Sequence, residues 1–206
     1  MDDLRELHAL QRDALREVAN IGAGHAATAL SQLINRRIMI SVPEVNVTKL
    51  EDVPELLGHP DEVVAAVLMH MMGDLTGRTV VLFPASCART LCDILLRHPL
   101  GTTTGFNEME QSGLKEVGNI LSSAYMNALS DFMGMMLVPS VPSLAIDLTG
   151  AVLSSISMNF GYNRDFVFCV ETEFLFEDPG LSLRGHFLLL PDLASLRAIF
   201  DAIRLT

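Results

Sequence analysis

A nine-residue stretch occurs twice in this chain, and its repetition limits the folds available. The first copy is Asp13-Ala-Leu-Arg-Glu17-Val-Ala-Asn20-Ile21 and the second is Ser112-Gly-Leu-Lys-Glu116-Val-Gly-Asn119-Ile120, shifted by 99 residues. The same shift carries Pro43 onto Pro142. Aligned without gaps, residues 13–43 and 112–142 are identical at 11 of 31 positions: Leu15, Glu17, Val18, Asn20, Ile21, Ala29, Leu30, Ser31, Ser41, Val42 and Pro43. A register held over that length marks an internal duplication. It predicts two half-units, about 1–100 and 101–206, within one domain.

Both copies have helical period. Leu7, Leu10, Ala14, Val18 and Ile21 recur at steps of three or four and predict one apolar face. Asp13, Glu17 and Asn20 are spaced by four and three, which puts them on a neighbouring stripe of the same helix. Ser112, Glu116 and Asn119 repeat the arrangement. Polar residues beside an apolar stripe are ordinarily a solvated face. A solvated face drifts after duplication, as Arg12 against Gln111 and Gln32 against Asp131 show. Glu, Asn and the distant Pro did not drift.

The pattern Asp/Ser-x3-Glu-x2-Asn-x22-Pro, present in full twice, resembles the motif of the CheC, CheX and FliY chemotaxis phosphatases. The flanking Asn-Ile-Gly-Ala-Gly-His-Ala-Ala-Thr-Ala-Leu-Ser at 20–31 and Phe-Asn-Glu-Met at 106–109 resemble CheC in particular. The resemblance implies a hydrolase that removes the phosphoryl group from the aspartyl phosphate of a CheY-type response regulator. It makes Glu17, Asn20, Glu116 and Asn119 the expected catalytic residues, with Asp13, Pro43, Ser112 and Pro142 as secondary motif or docking positions. Leu144-Ala-Ile-Asp147 resembles the segment with which one CheC subclass engages CheD, a receptor-modifying deamidase, and Asp147 is the matched residue.

Composition narrows the partners. With 14 basic and 25 acidic residues the formal net charge is −11, and there is no basic run, so a nucleic-acid partner is not expected. A protein partner with a local basic spot remains open, and the resemblance supplies one, a lysine in the receiver's active site. Cys87, Cys92 and Cys169 form no Cys-x2-Cys pair, so neither disulfides nor a zinc site is expected. The chain begins Met-Asp-Asp and reads without a signal peptide. Its apolar runs fall short of the roughly 20 residues of a membrane helix. The expected location is the cytoplasm.

Each half predicts the same order of elements. A long helix ends near Ile34, and strands follow at 36–42 and 45–50 around Pro43. A polar stretch, 51–61, reads as loop with one helical turn. Val63–Met71 and Arg78–Phe83 flank Gly73-Asp-Leu-Thr-Gly77 as a hairpin, and a short helix spans 85–97. The linker 98–105 separates the halves. Asn107, with Glu110 three residues on, caps the second long helix, which runs to about Met133. Strands are expected at 137–141 and 144–147, a hairpin from 151–158 and 165–176, another strand at 183–190 and a final helix at 193–203. His25, and His70 among Met69, Met71 and Met72, read as packing and strand residues, and no metal site is expected. Gly22 and Gly24 predict close approach of another backbone, that of the second motif helix. The fold expected is α+β, two half-repeats sharing a mostly antiparallel sheet, with the motif helices related by a pseudo-two-fold axis.

The expected chemistry is mainly positioning. An aspartyl phosphate is an activated acyl phosphate, and its receiver carries Mg²⁺, so the chain needs no cofactor of its own. A carboxamide can accept a hydrogen bond from the attacking water and donate one nearby. The competing readings are a non-catalytic docking module for phosphorylated receivers and a flagellar-switch component, the latter disfavoured by a chain of this length. One chain holds both motif helices, which predicts a monomer.

Overall fold

The computed structural model describes residues 9–42, 44–49, 52–53, 60–160, 166–176 and 181–204. Among these residues five helices lie against an eight-stranded antiparallel sheet. The elements run α1 (Ala9–Ile34), β1 (Ile38–Ser41), β2 (Val45–Lys49), β3 (Val63–Gly73), β4 (Gly77–Pro84) and α2 (Ala85–Leu95) in the first half. The second half runs α3 (Glu108–Met133), β5 (Leu137–Pro139), β6 (Ser143–Leu148), α4 (Thr149–Phe160), β7 (Phe166–Phe176), β8 (Ser182–Pro191) and α5 (Leu193–Arg204).

The ends of the long helices are set by local chemistry. At the start of α3 the Asn107 side chain accepts from the backbone N–H of Met109 and of Glu110, at 2.9 and 3.1 Å, while the Glu110 carboxylate accepts from Asn107 N–H at 2.7 Å. This is the expected capping box. The helix stops at Gly134, whose φ of 63° is left-handed. α1 stops at Asn35, also left-handed at φ 53°. The Ser31 hydroxyl then accepts from Ile38 N–H at 2.9 Å, holding β1 to the helix end. Ser130, its counterpart in the repeat, donates to the Met135 carbonyl.

The sheet interleaves the halves. Its order is β1-β7-β8-β4-β3-β5, with β2 also on β7 and β6 also on β3. The edge strands of each half therefore pair with the long strand of the other. The register carries the symmetry. Ile40 pairs with Phe174 as Pro139 pairs with Met71, and Val45 pairs with Val170 as Leu144 pairs with Val67. The edge strands keep the offset of 99 (139 − 40), and the long strands are offset by 103 (174 − 71). Between β4 and β8, Val81 pairs with Phe187, and an offset of 106 carries this pair onto itself. The pseudo-two-fold axis passes there, normal to the sheet, because equivalent residues keep the same face.

One face carries the main core, in which Leu15, Val18, Ala26 and Leu30 of α1 and Leu114, Val117, Leu121 and Leu129 of α3 meet Val67, Val81, Phe83 and Phe187. Residues of α2 and α5 join this cluster. On the other face Val152, Leu153 and Ile156 of α4, with Val53, cover Val64, Ala66, Val80, Leu82 and Leu188.

Here the structure corrects the sequence. Residues 151–158 are helical, and β7 forms its hairpin with β8. The alternation Val152-x-x-x-Ile156 suited a strand of period two, but Val152, Leu153 and Ile156 also share one side of a helix, and that side packs on the sheet. The strand expected at 137–141 ends at Pro139, where the chain crosses to β6. Ile21, assigned to the buried stripe, is 44% exposed, because the face in contact with the sheet and α3 is centred on Leu15, Val18, Ala19, Ala23 and Ala26. Most of the loop at 51–61 lies outside the described residues.

The expected close approach of the motif helices holds at Gly22. A Cβ there would lie 2.7 Å from a ring carbon of Tyr125 and 3.0 Å from its Cα. It does not hold at Gly24, where a Cβ would meet nothing within 4 Å. Gly118 has a comparable reason that the sequence did not reveal: its Cβ would fall 2.5 Å from Val67 of the sheet.

Candidate functional site

The eleven repeated positions divide by what the fold does with them. Leu15 and Leu114, Val18 and Val117, and Leu30 and Leu129 are buried core. Ser31 and Ser130 tie each helix end to the chain that follows it. Glu17 and Glu116 are exposed, Asn20 is exposed and Asn119 partly so. None of these four side chains has a hydrogen-bond or ion-pair partner among the described residues. Packing and internal bonding thus explain the repetition of the core and serine positions and leave the Glu and Asn pairs unexplained.

Each stripe is brought together by its own helix. Asp13 and Ser112 are exposed at its start. With a rise of about 1.5 Å per residue, Glu and Asn stand one turn apart within each copy. The two copies stay separate. The axis normal to the sheet makes α1 and α3 antiparallel, and the contact of Gly22 with Tyr125 marks their crossing. Asn119 then lies opposite position 28, eight residues or about 12 Å along from Asn20. The molecule carries two similar sites on one surface.

The partner positions are less uniform. Pro43 lies outside the described residues. Pro142 is partly exposed in the crossing between β5 and β6, where a missing N–H interrupts no ladder. Beside it, Ser140 Oγ accepts from His70 N–H at 2.9 Å and Ser140 N–H donates to the His70 carbonyl at 2.9 Å. Asp147 is exposed on the edge strand β6, opposite Val64, and its carboxylate accepts from Leu148 N–H at 2.7 Å.

Two features of the stripe escaped the sequence reading. Ile21 and Ile120 follow each Asn, and both keep part of their apolar surface in solvent. Arg16 and Lys115, related by the same offset of 99, precede each Glu. Neither cation has a partner among the described residues. The retained charge sign was visible in the alignment, but an identity count passes over Arg against Lys.

The site is a helical surface rather than a pocket. A core cavity of about 40 Å³ lies beneath α1, lined by Leu15, Val18, Tyr125 and Phe187. A wider cleft of about 550 Å³ lies at the far end of α1, by Arg36, Arg97 and His98. Neither holds the Glu or Asn residues. An exposed carboxylate and carboxamide can hydrogen-bond a water and pair with a charge, but on an open helical surface neither encloses a small molecule. Among the described residues no group of three or more His, Cys, Asp or Glu is placed to hold a metal ion, and no helix is long and apolar enough to cross a membrane.

A duplicated α+β domain with paired, exposed Glu-x2-Asn helices defines a class, and comparison with known proteins gives it a name. The sequence profile described as the CheC-like family matches twice, at residues 10–47 and 109–146, again 99 apart. CheY-P phosphatase CheC of Bacillus subtilis is 35% identical over 195 residues, covering 94% of this chain and 93% of that protein. The chain belongs to the CheC-like family. Among solved structures, Thermotoga maritima FliY superposes with a TM-score of 0.78 at 22% identity, over 96% of this chain and 98% of that one. The FliM middle domain from H. pylori gives 0.69 at 16% identity, over 95% and 99%. These two likenesses show the shared fold.

Proposed function

We propose that this chain is a phosphatase of the bacterial chemotaxis system that hydrolyses the aspartyl phosphate of a CheY-type receiver. The observation that supports it is the surface position of Glu17, Asn20, Glu116 and Asn119, repeated yet without a structural partner. The relative at 35% identity bears the name of that activity.

In this reading the receiver provides the phosphoryl group and its Mg²⁺, which spreads the charge that develops on the phosphoryl oxygens. Asn20 or Asn119 accepts a hydrogen bond from a water with its carboxamide oxygen and holds it in line with the phosphorus. Attack forms the new P–O bond and breaks the bond to the aspartyl oxygen, releasing inorganic phosphate. Glu17 or Glu116, one turn away, pairs with the receiver's lysine and fixes the docking angle. Asp13 and Ser112 sit at the rim. No covalent intermediate on this chain is needed. One chain carries both sites, so it acts as a monomer in the cytoplasm, where receivers work. Asp147, exposed on an edge strand, is the contact for a CheD-type partner.

The test is phosphate release from a phosphorylated CheY-type receiver with catalytic amounts of this protein. Asn20→Ala with Asn119→Ala, shown by circular dichroism to be folded, loses on the order of 100-fold because the water is no longer placed. A folded double variant that releases phosphate at the parent rate would leave only a docking module. Dialysis of this protein against a chelator leaves the rate intact once Mg²⁺ is returned for the receiver. For the second partner, Asp147→Lys weakens capture of a CheD-type protein; equal capture removes that contact.

A further inference from the structure

We infer that Arg16 and Lys115 are positioning residues, which hold the anionic phosphoryl end of the receiver over Asn20 and Asn119. This rests on the phosphatase reading and deepens it.

Position on the helix comes first. Arg16 stands four residues before Asn20, and Glu17 three before it, so the two lie one turn back on either side of the carboxamide. Lys115 and Glu116 stand in the same relation to Asn119. Each Asn is therefore flanked by one cation and one anion. Arg16 is exposed and Lys115 partly so, and neither makes an ion pair among the described residues.

The charge balance makes the repetition informative. Only 14 residues of 206 are basic, in a chain of net charge −11. A phosphoryl group carries close to two negative charges, and such a chain repels an anionic partner at long range. A cation retained beside each Asn, as Arg in one copy and Lys in the other, reverses that repulsion where the phosphoryl group must approach. The Glu meets the receiver's cation and the Arg or Lys its anion, so the flanking pair also fixes which way the receiver sits. Arg and Lys interchange here because a point charge suffices, with no bidentate fork required. Site one carries Asp13 where site two carries Ser112, so site one is one charge more negative and depends more on its cation.

The experiment isolates one site. In the Asn119→Ala background only site one turns over. There Arg16→Gln raises KM for the phosphorylated receiver about fivefold, the scale of an exposed charge contact, with kcat changed less than twofold. Arg16→Lys restores the parent KM. Salt narrows the difference between Arg16→Gln and its parent, since it screens exposed charges. An unchanged KM and salt dependence in folded Arg16→Gln overturns the inference. So does an Arg16→Lys variant as weak as Arg16→Gln, which would make the contact one of shape. Binding of a beryllium-fluoride-loaded CheY-type receiver gives a readout without turnover: Arg16→Gln with Lys115→Gln binds it at least fivefold more weakly, and equal binding overturns the inference as well. If the parent binds but does not release phosphate, the phosphatase reading fails, and the binding comparison still decides the role of the cations.

Discussion

The two motif helices share a sequence pattern and solve their packing differently. At their crossing α1 offers Gly22 and α3 offers Tyr125. The offset of 99 turns that pair into Leu121 and Ala26, both fully buried. One side sets a glycine against an aromatic ring, and the other sets a leucine against an alanine. The large residue stands on α3 both times, but at the 26/125 repeat position in one pair and at the 22/121 position in the other. Tyr125 also stacks on Phe187, at 4.4 Å between ring centres, and its hydroxyl lies 3.2 Å from Thr172 Oγ1. Burial pushes its pKa up to about 12, so it stays neutral. The helix crossing has diverged, while the core positions Leu15, Val18 and Leu30 and the surface Glu and Asn recur unchanged.

This asymmetry can be broken from the inside. Tyr125→Ala, which empties the larger partner, lowers stability by about 3–5 kcal/mol in urea denaturation. Adding Gly22→Leu to it rebuilds the arrangement of the other side and recovers part of the loss. No recovery would mean that the stacking on Phe187, and not the filled volume, matters at this crossing.

Glycines give a sharper contrast within one helix. Gly22→Ala lowers stability by about 1–3 kcal/mol, because the ring of Tyr125 must move. Gly24→Ala, two residues on, raises stability by up to about 1 kcal/mol, since nothing opposes its Cβ and alanine favours the helix. Thermal midpoints of the two variants should move in opposite directions.

The start of the second motif helix is tied down in a way that can be titrated. Buried Asp93 accepts from Gly101 N–H at 2.7 Å and Thr103 N–H at 2.8 Å, and the Thr103 hydroxyl donates to Glu110 of the capping box at 3.3 Å. Burial alone would raise the Asp93 pKa. Hydrogen bonds from Thr103, Gly101 and Thr102 outweigh it, and the net direction is downward from 3.8. The ionised carboxylate therefore contributes stability that is present above the unfolded value and is lost as pH falls through the lower folded value. Asp93→Asn reduces stability at neutral pH and flattens the decline of stability in acid. Losing the cap by Asn107→Ala lowers stability by about 1 kcal/mol, because the N–H groups of Met109 and Glu110 lose their acceptor.

The smallest expected effect concerns the sites themselves. With both competent, Asn20→Ala and Asn119→Ala each remove about half of the phosphate release, far less than the loss in the double variant. An unequal division between the two would measure how much Asp13 against Ser112, or Gly24 against Ser123, matters for docking.

Much of this was legible in the chain. The offset of 99 announced the duplication, and the helix periods, the hairpin of β3 and β4 and the cap at Asn107 are local patterns that the sequence states directly. The pairing of β1 and β2 with β7 was not legible, because strand partners more than a hundred residues apart leave no local signal. Segment 149–160 misled because a short apolar run fits either period until the surface it covers is known. The Glu and Asn residues were found by repetition. Ile21 was hidden within an apolar periodicity, and Arg16 behind an exchange that kept charge without identity.

The crossed pairing of edge strands has a consequence for how such a molecule comes to exist. A chain with only one half of these elements would leave its long strand without edge partners and would need a second copy to provide them. Its stability would then rise and fall with its own concentration. Joining the halves end to end makes the exchange intramolecular, at an effective concentration set by the 98–105 linker rather than by the cell. Once joined, the halves were free to become unlike, and the glycine on one helix could answer the tyrosine on the other.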